Sequence, residues 1–160
     1  MSQAGVIDGL QFAREAQEKH GILDTQDLQR LAQAGCSGGR LEYALRGAIL
    51  KDGKPWLRIS VSGELQLICQ RCLEPVEWPV AIEAELQLSE DEREVETAED
   101  DIDRALAKPS MNVAQMVEDE VILALPMVPR HEQCEHADAG KPERISPFGA
   151  LSALKVKQER

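Results

Sequence analysis

The sequence predicts an α+β fold: a small antiparallel β-meander over about residues 40–88, with N-terminal helices and a long helix at about 112–125 packed on one face. Three observations carry this expectation. From Arg40 the hydrophobic period changes from near 3.6 to 2. Three alternating runs then follow one another with turn residues between them, and one strongly apolar helical stripe comes after them. With 160 residues, 42% hydrophobic and only 3% aromatic, the chain has the size of a single domain, 1–160, with a core of Leu, Val, Ile and Ala.

Residues 10–34 read as one or two short helices. Leu10, Phe12, Ala13 and Ala16 lie at near-helical spacing, Thr25 is placed to cap a turn carrying Leu28, Leu31 and Ala32, and the stretch from Gly35 to Gly39 reads as a stop. Leu41, Tyr43, Leu45 and Ile49 then alternate with polar neighbours as a first strand, and Asp52-Gly53 supplies a hairpin turn. Leu57, Ile59, Val61, Leu65 and Leu67 form a second strand, bent at Gly63. After Cys69-Gln70-Arg71-Cys72 the alternation resumes as Val76, Trp78, Val80, Ile82, Ala84, Leu86 and Leu88, with Glu77, Glu83, Glu85 and Gln87 facing the other way. Such a meander has one dry face and one wet face.

Residues 89–108 read as an acidic mobile loop, since 89–103 hold nine acidic residues and one Arg and have little apolar surface to bury. Asn112 is placed to cap the long helix, with Gln115 at the capping-box position. Val113, Met116, Val117, Val121 and Ala124 make its apolar stripe, Glu118, Asp119 and Glu120 fall mostly on the other side, and Pro126 ends it. Residues 137–160 read as a Pro-containing basic tail, in which Pro147 and Phe148 precede a short closing helix with Leu151 and Leu154.

Charge narrows the function classes. With 18 Lys and Arg against 29 Asp and Glu, the net charge of -11 lacks the surplus that a protein needs to cover bare DNA or RNA by itself. No apolar run approaches the roughly 20 residues of a membrane span, and the N-terminal stretch has no signal-peptide pattern, so a cytoplasmic protein is expected. In that reducing setting four cysteines read as thiols or metal ligands rather than as a disulfide framework.

Two clusters can carry chemistry. Cys69 and Cys72 at a hairpin tip, set against His131, Cys134 and His136 after the helix, offer four donors for a closed, structural zinc site: Cys69, Cys72, His131 and Cys134, with His136 as the alternative ligand. Free reduced thiols are the competing reading. Redox catalysis fits less well, because that motif usually opens a helix, whereas this one joins two strands. Glu118-Asp119-Glu120 offer carboxylates, but neighbouring helix positions splay apart by about 100° and do not converge on a substrate or Mg²⁺. A solvated acidic face, available to a basic partner, is the simpler reading. No glycine loop, nucleophile elbow or phosphotransfer set is present.

The segments Cys69-Gln70-Arg71-Cys72-Leu73, Val117 through Leu125-Pro126 to Pro129-Arg130-His131, and Pro147-Phe148-Gly149-Ala150-Leu151 to Lys155 resemble those of the YceD family, the large ribosomal RNA subunit accumulation proteins. The resemblance extends over nearly the whole chain. It implies a non-catalytic factor that supports synthesis, processing or stability of 23S ribosomal RNA in large-subunit assembly, with a ribosomal protein or preribosomal particle as partner and no membrane or small-molecule substrate. It transfers no catalytic residue. The positions to watch for partner binding are Glu118, Asp119, Glu120, Arg71, Pro147 and Phe148. The alternative is direct contact with 23S rRNA through the hairpin tip, with Arg71 and the tail's Lys155 and Lys157 on phosphates.

Overall fold

A computed structural model describes residues 4–96 and 101–134. Its elements, in chain order, are β1 (Val6–Ile7), α1 (Gly9–Arg14), β2 (Glu18–Asp24), a 3₁₀ turn (Thr25–Asp27), α2 (Gln29–Gln33), β3 (Cys36–Ile49), β4 (Pro55–Ile68), β5 (Pro75–Ser89), α3 (Glu92–Glu96), β6 (Arg104–Leu106), β7 (Met111–Asn112) and α4 (Val113–Ala124). The fold is α+β. One five-stranded sheet has the order β2-β3-β4-β5-β6, and a two-stranded ribbon pairs β1 with β7.

The meander is present and longer than the sequence period suggested. β3, β4 and β5 pair antiparallel in sequence order, with Tyr43 opposite Val61 and Val61 opposite Ile82. Leu41, Tyr43 and Leu45 from β3, Leu57, Ile59, Val61, Leu65 and Leu67 from β4, and Val80 and Leu88 from β5 are buried together. β3 begins at Cys36, where the sequence had suggested a stop, because a register shift between Cys36 and Gly38 turns buried Cys36 into phase with the odd-numbered residues that follow. Gly63 shares the inward parity of β4 at φ +151°, and a Cβ there would collide with the Arg40 carbonyl, so only glycine fits the close crossing with β3.

The stretch 10–34 holds more than helices. Between α1 and α2 the chain runs as β2 antiparallel to β3, from Glu18 opposite Arg46 to Asp24 opposite Arg40. Period could not reveal this strand: it is a sheet edge, and Leu23 is its one fully buried side chain. α1 is capped by the Asp8 carboxylate, which accepts from the Gln11 N–H at 2.9 Å, and it sends Phe12 and Ala13 into the core. Within 89–108 two regular elements interrupt the acidic segment: α3, and β6, which pairs parallel to the end of β5.

In α4 the Asn112 side chain accepts from the Gln115 N–H at 3.2 Å. Val113, Val117 and Val121 join the core, and Leu125, before Pro126, is extended with ψ 141°. Among the described residues no helix is long and apolar enough to cross a membrane. His136 and the tail with Pro147 and Phe148 lie outside the described residues.

Candidate metal centre

Each half of the centre is built by backbone hydrogen bonds. Where β4 ends, the Cys69 N–H donates to the Glu74 carbonyl at 2.9 Å and the Leu73 N–H donates to the Cys69 carbonyl at 2.9 Å. Leu73 takes φ +63° to close this loop before β5 begins. The other half arrives after α4, where Pro126 stops the helix and the extended chain crosses to the hairpin tip. There the Gln70 N–H donates to the Pro129 carbonyl at 2.9 Å. That bond brings a segment some 60 positions away in sequence alongside the first half.

Four donors converge between the halves. The Sγ atoms of Cys69, Cys72 and Cys134 and a ring nitrogen of His131 all lie within 4.8 Å of one another. Cys69 Sγ is 3.6 Å from Cys134 Sγ, Cys72 Sγ is 3.3 Å from His131 Nδ1, and Cys134 Sγ is 4.0 Å from that nitrogen. A zinc ion with bonds of about 2.3 Å to sulfur has donor-to-donor edges of roughly 3.7 Å, so these distances match a tetrahedron in scale. The imidazole is also held from behind: His131 Nε2 lies 3.0 Å from the Pro75 carbonyl. Donation of Nε2–H to that oxygen leaves Nδ1 with its lone pair aimed at the thiols, the arrangement by which metal-bound histidines are oriented.

Electrostatics agree with the geometry. Burial alone would raise the Cys69 thiol, but backbone N–H groups of Cys72, Arg71 and His131, aided by the Cys72 side chain, bring it down to about 5. Cys134 is pushed up to about 11, by burial and then by the neighbouring Cys69 and Cys72. One thiolate forms readily, and a further negative charge beside it is opposed. A divalent cation among these sulfurs removes that opposition and favours thiolates throughout.

The remaining candidate residues divide. Arg71 sits exposed on the tip between the two cysteines of the loop. Glu118, expected on an exposed acidic face, is instead 5% exposed. Its Oε1 accepts from the backbone N–H groups of Arg30 at 2.7 Å and Leu31 at 3.0 Å, so it caps α2 from another element. Asp119 is exposed and ion-paired with Arg30, and Glu120 is half-buried. Sequence reasoning missed the cap, although a signal existed. At about 100° per residue, Glu118 falls between Leu125 and Ile122 on the helical wheel, inside the apolar arc. It also missed the carbonyl of Pro75, which has no side-chain signature.

The family model described as "Large ribosomal RNA subunit accumulation protein YceD" matches residues 57–155. The chain belongs to the YceD family. The YceD match begins at Leu57 in β4 and takes in β5, α4 and all four donors of the Cys-His cluster. β2 and β3, which complete the five-stranded sheet, precede it, as does β1 of the ribbon with β7. No solved structure matches this chain.

Proposed function

We propose that this YceD-family chain is a non-catalytic factor of large-subunit biogenesis that supports synthesis, processing or stability of 23S rRNA by binding a basic ribosomal protein or a preribosomal particle in the cytoplasm. The observation that carries the reading is the family match over residues 57–155. Two features of the chain support it. The net charge of -11 suits a basic protein partner rather than naked RNA. The one cluster of candidate metal ligands among the described residues uses four N and S donors, a set that leaves no open coordination position for a substrate.

In this reading Cys69, Cys72, Cys134 and His131 hold one structural zinc ion. When bound, the ion supplies a cross-link between the β4–β5 tip and the segment after α4. Asp119 and Glu120 belong to the acidic surface offered to the partner, and Glu118 supports that surface from below by fixing α2 to α4.

Deletion of the gene tests the function. Lower 23S rRNA and a smaller large-subunit peak in sucrose gradients are expected, and unchanged levels of both would end this reading. The second reading, direct rRNA contact at the tip, is favoured by one observation: Arg71 and Arg130 are both exposed beside the cluster. It requires filter binding to 23S fragments that weakens steeply with salt, and no binding at low salt removes it.

A further inference from the structure

β5 is paired with β4 from Pro75 to Gln87, but on its other side β6 covers only Gln87 to Ser89. Main-chain groups of a strand point alternately to its two sides. The Gln87 N–H reaches away from β4 to the Asp103 carbonyl at 2.9 Å, and the Ser89 carbonyl accepts from Ala107 at 2.7 Å. Pro79, which has no N–H to give β4, shares their parity. The same parity turns the N–H and C=O groups of Ala81, Glu83 and Glu85 outward, where no strand pairs with them among the described residues.

This open edge is the floor of a groove of about 550 Å³. Asp101–Asp103, the lead-in to β6, forms one wall, and Glu120, Leu123 and Ala124 of α4 form another. Apolar surface is exposed there: Leu123 is 80% exposed and Ile102 39%. Trp56 also lines it, and its buried indole N–H has no hydrogen-bond partner among the described residues. Glu83, Asp101, Asp103 and Glu120 bring carboxylates to the same place, while Glu85 is ion-paired with Arg58. Burial, and after it Asp103 and Asp119, raises the Glu120 carboxyl, a repulsion that an incoming cation relieves.

We infer that the open edge of β5 at Ala81–Glu85 takes up an extended, Lys- or Arg-bearing segment of a partner protein as an added strand. The inference rests on the proposed function in one respect, that the partner is a basic component of the large subunit. Strand addition uses the outward main-chain groups for affinity and the alternate side chains for selectivity. One face of the added strand lies beside Glu83 and Glu85, and the other beside Ile82, Leu123 and Ala124. Nucleic acid is disfavoured by repulsion between carboxylates and phosphates, and a second copy of this chain by the meeting of two identical acidic edges.

The test uses the full chain and a short synthetic peptide alternating Lys and Val, with a Glu-Val peptide as control. Binding of the Lys-Val peptide is expected to slow amide exchange at Ala81, Glu83 and Glu85, and the control is expected to do nothing. Ala81→Pro and Glu83→Pro each remove an outward N–H without touching the β4 ladder, and about tenfold weaker binding is expected for either. Should a proline variant lose its native circular dichroism, Glu83→Lys with Asp101→Lys keeps the backbone intact and is expected to weaken binding by a similar factor, about tenfold. No binding of the Lys-Val peptide, binding without protection of those amides, or unchanged binding by folded variants overturns the inference. Cosedimentation of the wild-type chain with large-subunit particles is measured alongside. Its absence with peptide binding intact strikes the proposed function and leaves the edge, whereas its presence without peptide binding does the reverse.

Discussion

Leu57, Ile59, Val61 and Leu65 lie in a dry interior, each no more than 1% exposed, while Leu73, just past the far end of the same strand, is 72% exposed. The sheet body is held by side chains whose burial contributes about 1.5–3 kcal/mol apiece before chain entropy is subtracted. The Cys-His tip has almost nothing of the kind. Its order comes from three backbone hydrogen bonds, the contact of the His131 ring with the Pro75 carbonyl, and donors that a metal can join, and structural zinc contributes an apparent free energy of about 10 kcal/mol or more in small domains. One chain thus uses apolar burial where its elements are long enough to make a core, and sets out four donors that a metal can join where two loops meet at the margin.

The largest effect is expected at the tip. Cys72→Ser, or chelation of the wild-type chain, should take zinc content in tag-free protein from about one ion per chain to near zero. The amides of Cys69, Gln70 and Leu73 should then exchange quickly while those of β3 and β4 stay protected. A wild-type zinc content near zero, or loss of protection across the whole sheet, would break the contrast. Next comes a pair of neighbours on α4. Glu118→Ala leaves two N–H groups of α2 without their partner and should cost about 1–3 kcal/mol in urea unfolding, whereas Asp119→Ala removes an exposed ion pair and should cost less than about 0.5 kcal/mol. Equal losses would mean that the buried cap does not hold α2.

The smallest effect belongs to α3. The Ser89 hydroxyl and then Lys54 hold the Glu94 carboxyl below its usual range, with the Ser89 contact at 2.6 Å and the Lys54 contact at 2.9 Å. A carboxyl depressed in the folded state stabilises fully above its unfolded pKa of about 4.3 and loses that contribution as pH falls through the depressed value. Glu94→Gln should therefore shift the unfolding midpoint slightly near neutral pH and not at all in strong acid, as read by thermal unfolding across that range.

The alternation in β3, β4 and β5 was readable because those strands have one dry face, and the Asn112 cap and the Pro126 stop follow from local chemistry. The convergence of Cys69, Cys72, His131 and Cys134 was readable because metal donors have few residue types. Three things were not. β2 has a single buried side chain and so no period. β6 is three residues long and lies in an acidic stretch whose composition suggests a loop. Glu118 looked like a member of a charge run: its place in the apolar arc marks it as buried, but its partners, backbone amides 87 and 88 positions away, have no side-chain signature.

That remote cap and the β1–β7 ribbon also set an order of events during translation. β2 through β5 join neighbour to neighbour and can zip up as they emerge. Val6, by contrast, waits for Asn112, and α2 waits for Glu118. A nascent chain halted before that point carries Leu31 of α2 on a surface that α4 has not yet closed, which is what proteases and chaperones recognise in an unfinished product.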